Sequence, residues 1–190
     1  MLKELSNIYL EEGLKNLQQN RLNTAQVKLQ KAISINNDNW EAMNLLGLCL
    51  YTLGDFQKAE GLWKKSIYLN EKEGNRAYQY LEDLKEIEFI SLCGLYNKVL
   101  QYAKEENFKS AEKLLKEELF IACKIIPFIN LKGLCMLKLG KRGEAVSLWK
   151  QSLLIDMENK QALNYIINYS GEKEEKMSFS SLLRKILKIS

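Results

Sequence analysis

Apolar residues recur every three or four positions along most of the chain, and short polar runs interrupt them at regular intervals. Tyr9, Leu10, Leu14 and Leu17 fall on one face of a helix over residues 6–19, with Gly13 among them. After a polar run over 19–24, Ala25, Val27, Leu29, Ala32 and Ile33 predict a second helix, with Asn23 or Thr24 as its N-cap. Asn36-Asn37-Asp38 closes it, and another helix pair opens at about Trp40. Two helices joined by a tight turn make an αα-hairpin. Between Asn75 and Glu106, apolar residues recur at 77, 81, 84, 87, 92, 95, 99 and 102, and Gly94 is the only glycine or proline among them. That pattern predicts one long central helix; a break at residues 88–91 is the competing reading. The plan then resumes: a turn at 105–108, a helix over 110–122, a helix start at Pro127, a turn at 141–143 and a closing helix over 159–169.

The pattern repeats itself. Residues 44–66 overlie residues 130–152 with a shift of 86 positions, pairing Asn44 with Asn130, Leu45 with Leu131, Gly47 with Gly133 and Leu48 with Leu134. Further along, Cys49 pairs with Cys135, Gly54 with Gly140, Ala59 with Ala145, Trp63 with Trp149 and Ser66 with Ser152. A shorter period lies inside this one, since Gly13 to Gly47 and Ala25 to Ala59 are both 34 residues. Fixed-period repetition marks a solenoid, whose units bury their apolar faces only by stacking on neighbours.

On these residues the chain resembles the tetratricopeptide-repeat family, whose 34-residue unit carries a W-x2-L-G-x2-Y…A-x3-F…P pattern. The second unit reads Met43, Leu46, Gly47, Leu50, Ala59 and Trp63; the fourth reads Ile129, Lys132, Gly133, Met136, Ala145 and Trp149. The first (Tyr9, Gly13, Ala25, Leu29) and the third (Leu95, Val99, Tyr102, Ala111, Leu115) are looser, and Asn37, Glu71 and Met157 stand where the closing proline is usual. The resemblance implies an all-α, right-handed solenoid of antiparallel helix hairpins in two duplicated lobes joined through the central helix, with an amphipathic helix at the C-terminus. Residues 1–90 would form the first lobe, 91–170 its duplicate, and 171–190 a charged hinge and tail. Gly13, Ala25, Gly47, Ala59, Ala111, Gly133 and Ala145 would be small because paired helices approach there, while Trp63 and Trp149 fill the space that the next hairpin covers.

The resemblance also implies a concave surface lined by the first helix of each pair, able to hold a peptide or helix of a partner protein. Its inward positions would be Asn7, Leu10 and Leu14, then Asn44, Leu48 and Tyr51, then Tyr78 and Glu82. In the second lobe they would be Tyr96 and Leu100, then Asn130, Leu134 and Leu137, then Asn164 and Asn168. A carboxamide both donates and accepts, so Asn44, Asn130 and Asn164 are either clamps on a bound backbone or ordinary surface residues kept by the duplication. Members that bind heat-shock chaperones clamp a C-terminal carboxylate with Lys, Asn and Arg side chains; Leu10, Leu14 and Leu45 stand here instead, which favours an apolar ligand.

Composition narrows the chemistry. The chain has 46% hydrophobic residues and a net charge of +4 spread over interleaved acids and bases, the balance of a folded protein with no nucleic-acid footprint. Histidine is absent, and no phosphate-binding glycine loop or nucleophile elbow occurs, so an enzyme is not expected. No metal or cofactor is expected either. Cys49, Cys93, Cys123 and Cys135 include no C-x-x-C pair and read as free thiols of a reducing cytoplasm. No secretory signal is read at the start, and the apolar stretch 119–131 is too short to span a bilayer. In the tail, Phe179, Leu182, Leu183, Ile186 and Ile189 share one helical face opposite Arg184, Lys185 and Lys188. Three readings stay open for it: a solvating terminal helix, a helix on an anionic membrane surface, or a helix occupying a groove of its own or of a second copy. The function expected is a non-enzymatic adaptor, with a secretion-type chaperone for hydrophobic segments or a tail-tethered membrane-surface assembly factor as alternatives.

Overall fold

The computed structural model describes residues 1–72, 74–117 and 123–169, which contain ten helices and no strand. The chain divides into two compact units, Met1–Ser91 and Leu92–Ser190. In the first, α1 (Leu2–Gln18) pairs with α2 (Leu22–Ile35) and α3 (Trp40–Thr52) pairs with α4 (Phe56–Leu69); α5 (Ala77–Asp83) packs on α4. α6 runs Ile87–Lys104. In the second unit, α7 (Phe108–Leu115) contacts α8 (Ile126–Lys138), α8 pairs with α9 (Arg142–Ile155), and α10 (Lys160–Tyr169) closes on α9.

The same turn ends four helices. Asn20, Gly54, Glu106 and Gly140 all adopt positive φ, between 56° and 87°. Each N–H bonds three residues back, and the next N–H bonds five residues back, as in Gly54 N to Tyr51 O at 2.9 Å and Asp55 N to Leu50 O at 2.8 Å. This is the Schellman arrangement, which satisfies carbonyls that a helix end would otherwise leave orphaned. Glycine occupies the left-handed position in only two of the four turns. Helix starts are then set by side chains: Asn39, Asp55, Asn107 and Asn159 each accept an N–H of the first turn. At α2 the expected caps Asn23 and Thr24 lie inside the first turn, and the capping position is Arg21, which makes no side-chain cap bond.

The core of the first unit gathers Ala25, Leu29, Ala32, Ala42, Leu46, Cys49, Ala59 and Trp63, all buried. Gly47 is small for a reason sharper than helix approach. A Cβ there would lie 2.2 Å from Nε1 and 2.6 Å from Cε2 of the Trp63 indole. Gly133 stands in the same relation to Trp149, at 2.3 Å and 2.8 Å, and Gly13 faces Leu29 at 2.6 Å. Each tryptophan therefore fills space within its own hairpin, and it also meets the next helix, with Trp63 5.1 Å from Tyr80 and Trp149 4.9 Å from Tyr165 between ring centroids. Ala59, Ala111 and Ala145 are fully buried.

Two expectations are corrected. Residues 77–104 are two helices with a turn at 84–86, where Lys85 N bonds Glu82 O at 2.8 Å in place of a regular α-helical bond. The turn also falls short of the 88–91 alternative. Its physical cause is tertiary: Phe89, early in α6, packs 5.6 Å from Tyr51 and 5.1 Å from Phe56, which a straight continuation of α5 does not require. α7 also ends at Leu115, short of the helix predicted over 110–122, of which residues 118–122 lie outside the described residues. The amphipathic tail lies outside the described residues.

Candidate functional site

α1, α3 and α5 of the first unit enclose a cleft of about 380 Å³. Leu10 and Leu14 come from α1; Trp40, Glu41, Asn44, Leu45 and Leu48 from α3; Gly74, Arg76 and Tyr80 from the entry to α5 and its first turn. Leu14 is 42% exposed, so the apolar wall opens to solvent. Glu41 and Arg76 are exposed and give the rim one charge of each sign.

Asn44 is the polar centre of this wall and is only 7% exposed. Its Nδ2 donates to Asn75 Oδ1 at 2.8 Å. Asn75 is itself oriented by donating to Asn70 O at 2.9 Å and to Ser66 O at 3.2 Å, so its oxygen must face Asn44. The Asn44 amide is thereby fixed with its donor engaged inside the fold and Oδ1 left without a partner. Reversing it would set two carbonyl oxygens against each other.

Of the expected groove residues in this unit, Asn44, Leu48, Leu10 and Leu14 come together in the cleft. Tyr51 and Tyr78 do not line it. Tyr51 packs edge-on to Phe56 at 5.4 Å and lies 6.2 Å from Trp63, while Tyr78 is 44% exposed with its hydroxyl toward Glu71 O. Tyr80 lines the cleft instead. The loop into α5 is one residue longer than the period allows: buried Ala42 is answered by buried Ala77, 35 positions on. A one-residue slip turns a helix face by about 100°, so positions assigned by strict period miss. The spacing of the buried alanines was the available signal.

In the second unit Asn130 is 4% exposed; its Nδ2 donates to Gln161 Oε1 at 3.4 Å and its Oδ1 has no partner. Leu134 and Leu137 are half-buried and Asn164 is exposed. Burial lowers the Lys132 ammonium below the ordinary lysine value and pushes the Cys135 thiol up to about 11. Cys49, like Cys135, is fully buried, as a small apolar core residue would be. No cluster of three or more potential metal ligands occurs among the described residues, and no described helix is long and apolar enough to cross a membrane.

Residues 16–81 match the family model described as tetratricopeptide repeat. No curated protein matches the chain. Among solved structures, the TPR domain of P58(IPK) is similar at 15% identity and a TM-score of 0.48; the match covers 96% of this chain and 55% of that one, so this chain spans about half its length. MamA 41-end from Desulfovibrio magneticus RS-1 is similar at 16% identity, 96% and 93% coverage and a TM-score of 0.40. YrrB, titled a TPR protein with an unusual peptide-binding site, is similar at 16% identity, 94% and 84% coverage and a TM-score of 0.40.

Proposed function

We propose that the chain, whose residues 16–81 match the tetratricopeptide-repeat model, is a scaffold for protein–protein interaction, and that its first unit holds an apolar segment of a partner protein in the cleft between α1, α3 and α5. The observation that carries this reading is the cleft's make-up. Leucines and aromatic rings form its walls, and one buried, pre-oriented carboxamide, that of Asn44, stands among them with no donor to its Oδ1. A bare apolar surface would bind without register, whereas a single unpaired acceptor rewards a ligand that brings an N–H to one place. An acidic C-terminal peptide fits less well, because Leu10, Leu14 and Leu45 supply no cation and the rim's Arg76 is offset by Glu41.

The test is direct titration of the purified protein with a panel of labelled peptides, amphipathic and leucine-rich on one side, acidic and apolar-poor on the other. Leu48 is half-buried in the wall and packs against the edge of the core, so Leu48→Glu puts a charge in the cleft, and circular dichroism first checks that the variant is folded. Losing one leucine contact and burying part of a carboxylate should weaken the apolar peptides by about tenfold or more, or about 1.4 kcal/mol. Unchanged affinity in a folded Leu48→Glu protein, or a preference for the acidic peptides, would overturn the reading.

A further inference from the structure

In the sequence of residues 177–190, Phe179, Leu182, Leu183, Ile186 and Ile189 fall at i, i+3, i+4, i+7 and i+10, the anchor pattern of a helix laid in a groove. Taken as a helix, that stripe is about 15 Å long. The cleft of the first unit offers a wall of similar length. Trp40, Asn44, Leu45 and Leu48 follow one another on α3 over about 12 Å of helix axis, and Leu10 and Leu14 of α1 line the same cleft. Charge then selects between the two units. Residues 1–91 hold 11 basic and 13 acidic side chains, a net of −2, while residues 92–170 hold 12 and 8, a net of +4. Residues 177–190 carry Arg184, Lys185 and Lys188 and no acid, so the first unit attracts them and the second repels them. On the cleft's rim Glu41 and Arg76 cancel, which leaves the attraction to the unit as a whole.

We propose that the occupant of the cleft is the segment 177–190 of a second copy of this chain, an inference that rests on the reading of the cleft as a seat for an apolar segment. Five large apolar side chains at roughly 100 Å² each bury about 500 Å² of the segment and, with the wall they meet, about 1,000 Å² in all. That is the size of a weak, transient contact. Exchanged reciprocally between two copies, the contact doubles to about 2,000 Å², the size of a stable dimer, and both apolar stripes are covered at once. A segment folded back on its own chain gains no second contact.

Sedimentation velocity on the full chain, over a wide concentration range, reads the association. The wild type should be a concentration-dependent dimer. Leu182→Glu/Ile186→Glu and, separately, Leu48→Glu should each be monomeric, and mixing them should restore association, since one brings an intact cleft and the other an intact segment. A labelled synthetic peptide of residues 171–190 should bind the Leu182→Glu/Ile186→Glu protein, and bind Leu48→Glu about tenfold or more weaker. The changes at 182 and 186 lie outside the described helices, so their result stands whether or not Leu48→Glu folds. A monomeric wild type overturns the proposal. If the peptide then binds only the Leu182→Glu/Ile186→Glu protein, the segment is held by its own chain; if the wild type sediments with phosphatidylserine vesicles, the segment faces a membrane. A dimer that survives the changes at 182 and 186 overturns it equally. In each case apolar peptides that bind the wild type and lose affinity in Leu48→Glu leave the cleft reading standing, whereas a folded Leu48→Glu protein that binds every peptide as the wild type does strikes that reading as well.

Discussion

Gly47→Ala adds one methyl group, and the structure says where it must go. In an exposed helix interior the change is favourable by about 1 kcal/mol, because alanine loses less backbone entropy on folding. At Gly47 the new carbon would sit 2.2 Å from Trp63 Nε1 and within 2.8 Å of two further ring atoms, and the ring is 1% exposed and cannot swing aside. Moving it costs about 1–3 kcal/mol in overpacking. It also disturbs the indole's hydrogen bond to Asn44 O at 3.2 Å, worth about 0.5–1.5 kcal/mol. The sum outweighs the helix gain, leaving a net destabilisation of about 1–3 kcal/mol. Gly61 is the control: it lies in α4 on an exposed face with nothing within 4 Å of an added Cβ, so Gly61→Ala should stabilise by up to about 1 kcal/mol. Urea unfolding followed by circular dichroism reads both. Trp63→Leu in the Gly47→Ala background should recover part of the loss relative to the two single changes, since the methyl and the ring compete for one space. If Gly47→Ala proves as stable as the parent, the ring is not held against the glycine and the packing account of this hairpin fails.

Glu106 holds the left-handed turn position that glycine holds at 54 and 140, so Glu106→Gly should raise stability by about 1 kcal/mol, measured as a higher urea midpoint at unchanged slope. In the second unit, Lys141 and Lys116 bond Glu112 at 2.8 Å and 3.2 Å and hold its carboxyl below the ordinary carboxylate value. A depressed folded value contributes stability above the ordinary range and loses it as pH falls through the lowered one. Wild-type stability should therefore drop more steeply than that of Glu112→Gln on acidification below about pH 4.5. Equal slopes would show the pair to be inert.

Much of this fold was legible because duplication writes the same packing problem twice. Gly47 with Trp63 and Gly133 with Trp149 reappear as pairs, and the 34-residue spacing placed each hairpin near where it lies. The left-handed turn at Glu106 was hidden because residue type does not mark it, and Asn20, of a type that tolerates the conformation, marks its turn only weakly; the spacing to Gly54 and Gly140 marks both. The turn at 84–86 was illegible for another reason. No proline or glycine interrupts the pattern there, and the break is set by Phe89 reaching Tyr51 and Phe56, contacts distant in sequence. In the cleft, Asn44 and Leu48 were reachable from their place on α3, while Tyr80 was displaced by a single extra residue in the loop before it.

That loop also separates the two copies chemically. Asn75 ends it and locks Asn44 through three hydrogen bonds of its own, so the first unit presents a carboxamide oxygen in one orientation. Its counterpart Asn130 meets Gln161 at 3.4 Å, and Gln161 donates in turn to the Tyr165 hydroxyl at 2.7 Å on an exposed surface. Duplication kept the packing and let the polar link drift. If a partner's N–H meets Asn44 Oδ1, then Asn75, which does not line the cleft, should govern binding through that orientation. Asn75→Ala leaves Asn44 Nδ2 and Asn70 O without these partners, while Ser66 O keeps its bond from Asn70 N, and should cost about 1–3 kcal/mol of stability. Measured well below the melting temperature, where the variant is folded, its affinity for apolar peptides should fall as far as that of Asn44→Ala. The double variant should fall no further than either single change. Additive losses in the double variant would mean that Asn75 acts on binding by some route other than the carboxamide it holds.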